Sequence, residues 1–286
     1  MRYEVPESLD AAVNMLAGEA GSARVLAGGT DLLVQLRAGM VDPDLVVDVK
    51  KIPELGAISS ENGGFRVGAA VSGAVLGEHD EVVKMWPGVV EAAELIGSTQ
   101  IQGRASMGGN LCNASPAADS VPALIAAAAT ASIIGPSGRR EVPVEDIATG
   151  PGQTSLAKGE IVVSIFLPAR PAHSGDAYLR FIPRTEMDIA VVGVGVNLTL
   201  DDGGVCTAAR VSLGAVAARA LLVSEAADAL IGTSIDDDAL ANLAAAASAA
   251  CKPIDDKRGT KEYRIKVAGV LARRAAQTAL ARAREN

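Results

Sequence analysis

Aromatic side chains are scarce in this chain of 286 residues, which holds three Phe, three Tyr and one Trp. Single-stranded nucleic acid is bound on aromatic platforms in basic grooves, and a net charge of −8 without basic runs offers neither feature. The acid excess fits a solvated surface. Cysteine is just as sparse. Cys112, Cys206 and Cys251 are odd in number, far apart and free of any CxxC pair. That pattern argues against a disulfide framework, a thiolate metal site and an iron–sulfur cluster on this chain. The two histidines, His79 and His173, have no triad or metal-ligand context and read as surface residues. The start, Met1 to Pro6, lacks the apolar core of a signal peptide. The longest apolar stretch, Val121 to Gly135, contains Thr130 and Ser132 and falls short of the roughly 18 residues of a membrane helix. The expectation is a cytoplasmic protein with no membrane span and no nucleic-acid partner.

What remains is aliphatic. Hydrophobic residues make up 49% of the chain against 2% aromatic, so the core must be built from Ala, Val, Leu and Ile. The length suits one large domain or two to three packed subdomains. Ser8 is placed to cap a helix over residues 8 to 19 with Leu9, Ala12, Val13 and Leu16 on one face, ended by Gly21. A strand over Arg24 to Ala27, a helix capped by Thr30 and running to Gly39, and a strand over Leu45 to Val49 complete a β-α-β-α-β unit. A second block mixes a strand over Phe65 to Ala69, a helix opened by Pro87, a helix near Asp119 to Ala129, a hairpin turning at Gly135 to Gly138, and a strand over Ile161 to Leu167. Consecutive strands then follow over Tyr178 to Ile182, Ile189 to Leu200 and Val205 to Ala215. Helices over Ser224 to Ile231, Asp237 to Ala250 and Lys261 to Arg284 close the chain. The Ala-rich run from Ala241 to Ala250 reads as close helix packing.

Two glycine segments stand out. In Ala27-Gly28-Gly29-Thr30-Asp31 the glycine pair joins a strand to a helix, where backbone N–H groups and the helix dipole favour an anion. Alone it is a weak signal, because such glycines mostly serve the turn itself, and the Gly-x-Gly-x-x-Gly dinucleotide spacing is absent. The second segment, Ser106-Met107-Gly108-Gly109-Asn110, carries more. It reads as a turn that runs on through Asn113 and Ser115 to Asp119 as a long polar loop between apolar segments.

Together these strings are more specific than either alone. Val25 to Leu33, Ala105 to Leu111 continuing to Asp119, and Gly159-Glu160-Ile161 through Pro168 resemble the FAD-binding subunits of the xanthine dehydrogenase and carbon monoxide dehydrogenase family of molybdenum hydroxylases. The likeness extends over nearly the whole chain, from the Ser8 to Ala12 helix through Arg184 to Ala190 and the closing helix at Glu262-Tyr263-Arg264. The resemblance implies an α+β protein. Residues 1–173 would form a vanillyl-alcohol-oxidase-like (PCMH-type) FAD-binding domain with subdomains 1–54 and 55–173. Residues 174–286 would form a C-terminal α+β domain of antiparallel sheet plus helices.

It further implies that Gly28, Gly29 and Thr30, with Gly108, Gly109 and Asn110, surround the FAD diphosphate, that Ser106 hydrogen-bonds the flavin nucleotide, and that Ala27, Asp31, Leu32 and Met107 belong to the same cofactor-binding segments. Asp119 would hold a cofactor hydroxyl, Ile96 and Val162 would line the nucleotide part, and Ile189 would cover one face of the flavin ring. The bland reading of the last three apolar residues is an ordinary core. At Ile182 and Gly103 the chain departs from the lysine and asparagine frequent in the family. No catalytic acid or base is implied, nor a metal on this chain. The implied partners are a large molybdenum-cofactor subunit and a small [2Fe-2S] subunit, as a dimer of heterotrimers. A stand-alone flavin oxidase and a scaffold that has lost FAD are the competing readings.

Overall fold

A computed structural model describes all 286 residues. The first unit holds β1 (Arg2–Glu4), α1 (Leu9–Gly18), β2 (Ala23–Leu26), α2 (Leu32–Arg37) and β3 (Leu45–Asp48). Its three strands are parallel in the order β1-β3-β2. Central β3 is buried along its length, as its unbroken Leu-Val-Val run requires of a strand covered on both faces. Ser8 caps α1 by accepting from the Ala11 N–H at 3.3 Å, and Ala12, Val13 and Leu16 pack onto Leu45 and Val47. The helix ends at Glu19 rather than at Gly21. Thr30 does not cap α2. Asp31 is already in the α conformation and takes the N-cap position without a side-chain bond, leaving Thr30 in the preceding turn.

The second unit begins with a 3₁₀ turn at Pro53–Gly56, then β4 (Ile58–Glu61), β5 (Gly64–Gly68), α3 (Gly73–Gly77), α4 (Asp80–Met85) and α5 (Pro87–Glu94). It continues with α6 (Met107–Cys112), α7 (Ser120–Ala126), β6 (Thr130–Gly135), β7 (Gly138–Pro143), the small pair β8 (Ala148–Gly150) and β9 (Gln153–Thr154), and β10 (Ile161–Leu167). The five long strands form an antiparallel sheet in the order β4-β5-β10-β6-β7. The segment after Ser106, read as a turn, is instead the first turn of α6. Ser106 accepts from the Gly109 N–H at 3.1 Å, and this cap outweighs the low helix propensity of two glycines. His79 is not a plain surface residue either. It is half-buried, its Nδ1 accepts from the Val82 N–H at 3.4 Å, and its ring meets Phe65 edge-on.

The third unit is an antiparallel sheet, β11 (Ser174–Phe181), β12 (Val192–Leu200), β13 (Cys206–Gly214) and β14 (Leu221–Leu222), backed by α8 (Ser224–Asp228), α9 (Asp237–Ala250) and α10 (Lys261–Glu285). The alanines do pack closely. Gly269 lies so near α9 that a Cβ there would stand 2.8 Å from the Ala244 carbonyl oxygen. Strand β12 begins at Val192, so residues 182–191 form a connecting loop and Ile189 lies outside the sheet.

Helix α7, with all seven residues buried, is wedged between the second and third units. Gly195 and Gly214 make room for it: their Cβ atoms would stand 2.5 Å from the Pro122 oxygen and 2.7 Å from the Pro122 ring. Two ion pairs complete the joint, one buried and one partly exposed. Asp176 pairs with Arg170 at 2.9 Å and accepts from the Val89 N–H at 3.2 Å, while Arg282 on α10 pairs with Glu91 on α5. All three cysteines are free, and no helix is long and apolar enough to cross a membrane.

Candidate functional site

Strand β2 ends where the chain must turn sharply into α2, and Gly29, at φ +80°, supplies a conformation that side chains resist. Gly28 serves a different purpose. A Cβ there would stand 1.8 Å from the Arg104 carbonyl oxygen, so the first glycine turn lies directly against the chain leading into α6. Gly108 repeats the device on the other side, 2.4 Å from the Ala69 oxygen by the same measure, and brings the start of α6 down onto the end of β5. Two backbone segments about eighty residues apart in sequence thus share one cleft of about 510 Å³, a volume typical of small-molecule sites.

The backbone N–H groups of Gly28, Gly29, Thr30, Asp31 and Leu32 donate to no protein acceptor, and neither do those of Met107 and Gly108 at the start of α6. Orphan donors at a helix N-terminus next to a glycine turn make an anion cradle. The charged side chains lining the cleft do not: Arg24 is the single cation, against Asp31 and Glu160. Burial pushes the Asp31 carboxyl up, whereas hydrogen bonding to Arg140 holds Glu160 below the usual range. Asn110 spends its amide oxygen on the Ser120 N–H at 3.1 Å and the Ser120 hydroxyl at 2.7 Å, tying α6 to α7. Ile96 and Val162, both buried, join Val49, Leu55 and Ile161 as the apolar wall. The cleft therefore offers a backbone cradle for an anion beside an apolar surface, the combination that a nucleotide diphosphate requires.

Of the residues singled out from sequence, Ala27 to Leu32, Ile96, Ser106, Gly108, Gly109, Asn110 and Val162 line this cleft together. Met107 does not, because its side chain points into the core beneath α6. Asp119 lies outside the lining and is buried against Arg180 at 3.0 Å and the Tyr178 hydroxyl at 3.1 Å. Desolvation pushes its carboxyl up to about 6, and the Arg180 charge only partly offsets this. Ile189 is 52% exposed on the 182–191 loop, away from the cleft lining. Gly103 is exposed, with nothing within 4 Å of a Cβ.

Sequence reading missed Arg24, Gln35, Cys112 and Thr154 in the lining. The Gln35 amide donates to the Asn113 Oδ1 at 3.1 Å and closes α2 over the end of α6. Its position one helical turn after Asp31 was the available signal. Burial pushes the Cys112 thiol up to about 12, so it is no thiolate near neutrality. No cluster of His, Cys, Asp and Glu able to hold a metal ion is present.

Comparison with known proteins agrees in length and order. A family profile described as "FAD binding domain in molybdopterin dehydrogenase" matches residues 1–170, and one described as "CO dehydrogenase flavoprotein C-terminal domain" matches 177–279. The chain is 35% identical to the carbon monoxide dehydrogenase medium chain of Afipia carboxidovorans over 99% of its own length and 97% of the relative's. It is 30% identical to the xanthine dehydrogenase FAD-binding subunit of Escherichia coli O157:H7, covering 98% and 96%. A crystal structure of the Cu,Mo-CO dehydrogenase superposes with a TM-score of 0.94 at 34% identity over 99% of this chain and 98% of that one. Quinoline 2-oxidoreductase from Pseudomonas putida 86 superposes at 0.91 with 30% identity, again covering 99% and 98%.

Proposed function

Because the chain belongs to the FAD-binding medium subunits of the carbon monoxide dehydrogenase and xanthine dehydrogenase family, we propose that it is the electron relay of a heteromeric molybdenum hydroxylase. In that role it takes electrons from [2Fe-2S] clusters on a partner subunit and passes them to an external acceptor. It is an oxidoreductase component, and FAD is its cofactor. The observation that carries the reading is the pair of glycine segments presenting unsatisfied N–H groups to one cleft. Bound FAD supplies the redox chemistry, and the chain supplies binding, orientation and electrostatics.

The donors from Gly28 to Leu32 and those of Met107 and Gly108 hold the diphosphate, with Ser106, Gly109 and Asn110 fixing the geometry of α6. Ala27 carries the turn, Thr30 offers a hydroxyl, and Asp31 offers an acceptor for a hydroxyl of the ligand. Ile96 and Val162 pack on the nucleotide part. Asp119 would hold a cofactor hydroxyl, its carboxylate positioned by Arg180, whose guanidinium also holds the Leu95 carbonyl at 2.8 Å, beside Ile96. Ile189, on its exposed loop, would cover one face of the flavin ring.

Residues 1–173 form the FAD-binding domain, with subdomains 1–54 and 55–173, and 174–286 the C-terminal domain. The parallel sheet, the five-stranded sheet and the four-stranded sheet support that division. The partners are a large molybdenum-cofactor subunit and a small [2Fe-2S] subunit, arranged as a dimer of heterotrimers. Three free, scattered cysteines suit both a cytoplasmic setting and clusters that reside elsewhere.

The purified chain is expected to carry flavin that dithionite bleaches and organic substrates alone do not. Bleaching by a substrate without partners would make it a stand-alone oxidase. Failure to hold or reconstitute FAD would make it a scaffold.

A further inference from the structure

Lys50 follows β3 and reaches back across the parallel sheet to the first glycine turn. Its ammonium donates to the Ala27 carbonyl oxygen at 3.2 Å and to the Asp48 carboxylate at 2.8 Å. Asp48 also accepts from the Tyr3 hydroxyl at 2.5 Å and from the Lys50 backbone N–H at 3.0 Å. Asp48 on β3 and Ala27 after β2 therefore hold the ammonium, and Tyr3 on β1 holds Asp48 in place. Burial works against the Asp48 carboxylate, but the bonds from Lys50 and Tyr3 keep its carboxyl below the usual range. The ammonium thus faces a charged partner that stays ionised.

The Ala27–Gly28 peptide is trans, as are all others in the chain. Its C=O and N–H consequently point in opposite directions. With the oxygen end fixed on Lys50, the Gly28 N–H points away from Lys50. That N–H has no protein acceptor, and Gly28 lines the cleft. A cation on the carbonyl end of a peptide polarises the whole unit and strengthens the hydrogen bond its N–H can donate. The need is plain from the lining charges, where one arginine stands against two carboxylates around a site that must accept a doubly charged diphosphate.

Resting on the FAD reading above, we propose that Lys50 is a positioning residue for the cofactor diphosphate, fixing and polarising the Ala27–Gly28 peptide so that the Gly28 N–H is aimed at a phosphate oxygen. Lys50 itself is absent from the cleft lining and acts through the peptide. Its effect should therefore depend on whether the ligand carries phosphate.

The test compares wild type with Lys50→Met, both stripped of flavin, by calorimetric titration with FAD and by competition with ADP and with adenosine. The expected result is that FAD and ADP each weaken roughly 10- to 100-fold, the share of one charge-assisted hydrogen bond, while competition by adenosine is unchanged. If FAD binds as in wild type, or if adenosine weakens by the same factor as ADP, the proposal is overturned, since the second result marks a general loosening of the fold. Should Lys50→Met leave Asp48 too poorly paired to fold, Asp48→Asn/Lys50→Met removes both charges and the same comparison decides. A wild-type chain that binds no FAD would instead overturn the functional reading, and the two failures are distinct.

Discussion

Replacing Gly28 with alanine probes the contact on which the cleft depends. The added Cβ would stand 1.8 Å from the Arg104 carbonyl oxygen, against the 3.4 Å at which ordinary contact begins, so the two segments must part by 1.6 Å (3.4 − 1.8). Neither side can yield by turning a side chain, because the obstacle is backbone. A shift of that size carries the donors of the turn out of hydrogen-bonding range of a diphosphate that remains on α6. Losing two charge-assisted bonds, at about 1.5 to 3 kcal/mol each, weakens FAD binding by about 3 to 6 kcal/mol, or ~10²- to 10⁴-fold. The fold itself should lose only about 1 to 3 kcal/mol, the usual cost of overpacking. The assay is the flavin absorbance of the purified variant together with titration of the stripped protein, and urea unfolding reads the stability. Gly103→Ala is the control. It lies one residue from Arg104 but faces open space, and it should change neither quantity. A Gly28→Ala protein that keeps wild-type FAD affinity would refute the reasoning.

Asp176→Ala leaves Arg170, whose side chain is 7% exposed, without its carboxylate and deprives the Val89 N–H of its acceptor. Urea unfolding should show a loss of roughly 3 to 5 kcal/mol, and a loss under 1 kcal/mol would remove this joint from the account. Ser106→Ala deletes the cap on α6 and should cost about 1 kcal/mol of stability, with weakened FAD retention measured on the same preparation. The Asp119 carboxyl rises from 3.8 to about 6 in the folded state. The native protein therefore binds more protons than the unfolded chain between these values, and this group's contribution to stability falls as pH rises through that window, by roughly 3 kcal/mol in all. Stability profiles of wild type and Asp119→Asn should accordingly differ in slope between pH 4 and 6, and parallel profiles would contradict the assignment.

Regular elements with a single demand on them were legible in the sequence. Helix α9 spans Asp237–Ala250 and strand β10 spans Ile161–Leu167, as periodicity and the terminating Pro168 indicate. Elements whose ends depend on tertiary contact were not. Gly108 and Gly109 look like a turn because propensity is local, yet Ser106 and the close approach to Ala69 hold them in a helix. Ile189 reads as strand from its Ile-Ala-Val-Val context, but pairing starts at Val192, where β11 can reach. The two glycine segments are visible as motifs, whereas their contact is not, since nothing local says that Gly28 meets Arg104. Asp119 was legible as a polar residue ending a polar loop. Its engagement with Arg180 and Tyr178, some sixty residues on, could be seen only in the fold. Lys50 carries no sequence signal at all, because its meaning lies in the Ala27 carbonyl across the sheet.

The most direct test of the relay is anaerobic stopped-flow mixing of the assembled three-subunit enzyme with its organic substrate, following iron–sulfur and flavin absorbance together. Flavin reduction is expected to follow cluster reduction and to vanish when the [2Fe-2S] subunit is left out, while dithionite still bleaches the flavin. Reduction of the flavin by substrate at an unchanged rate without that subunit would contradict the account.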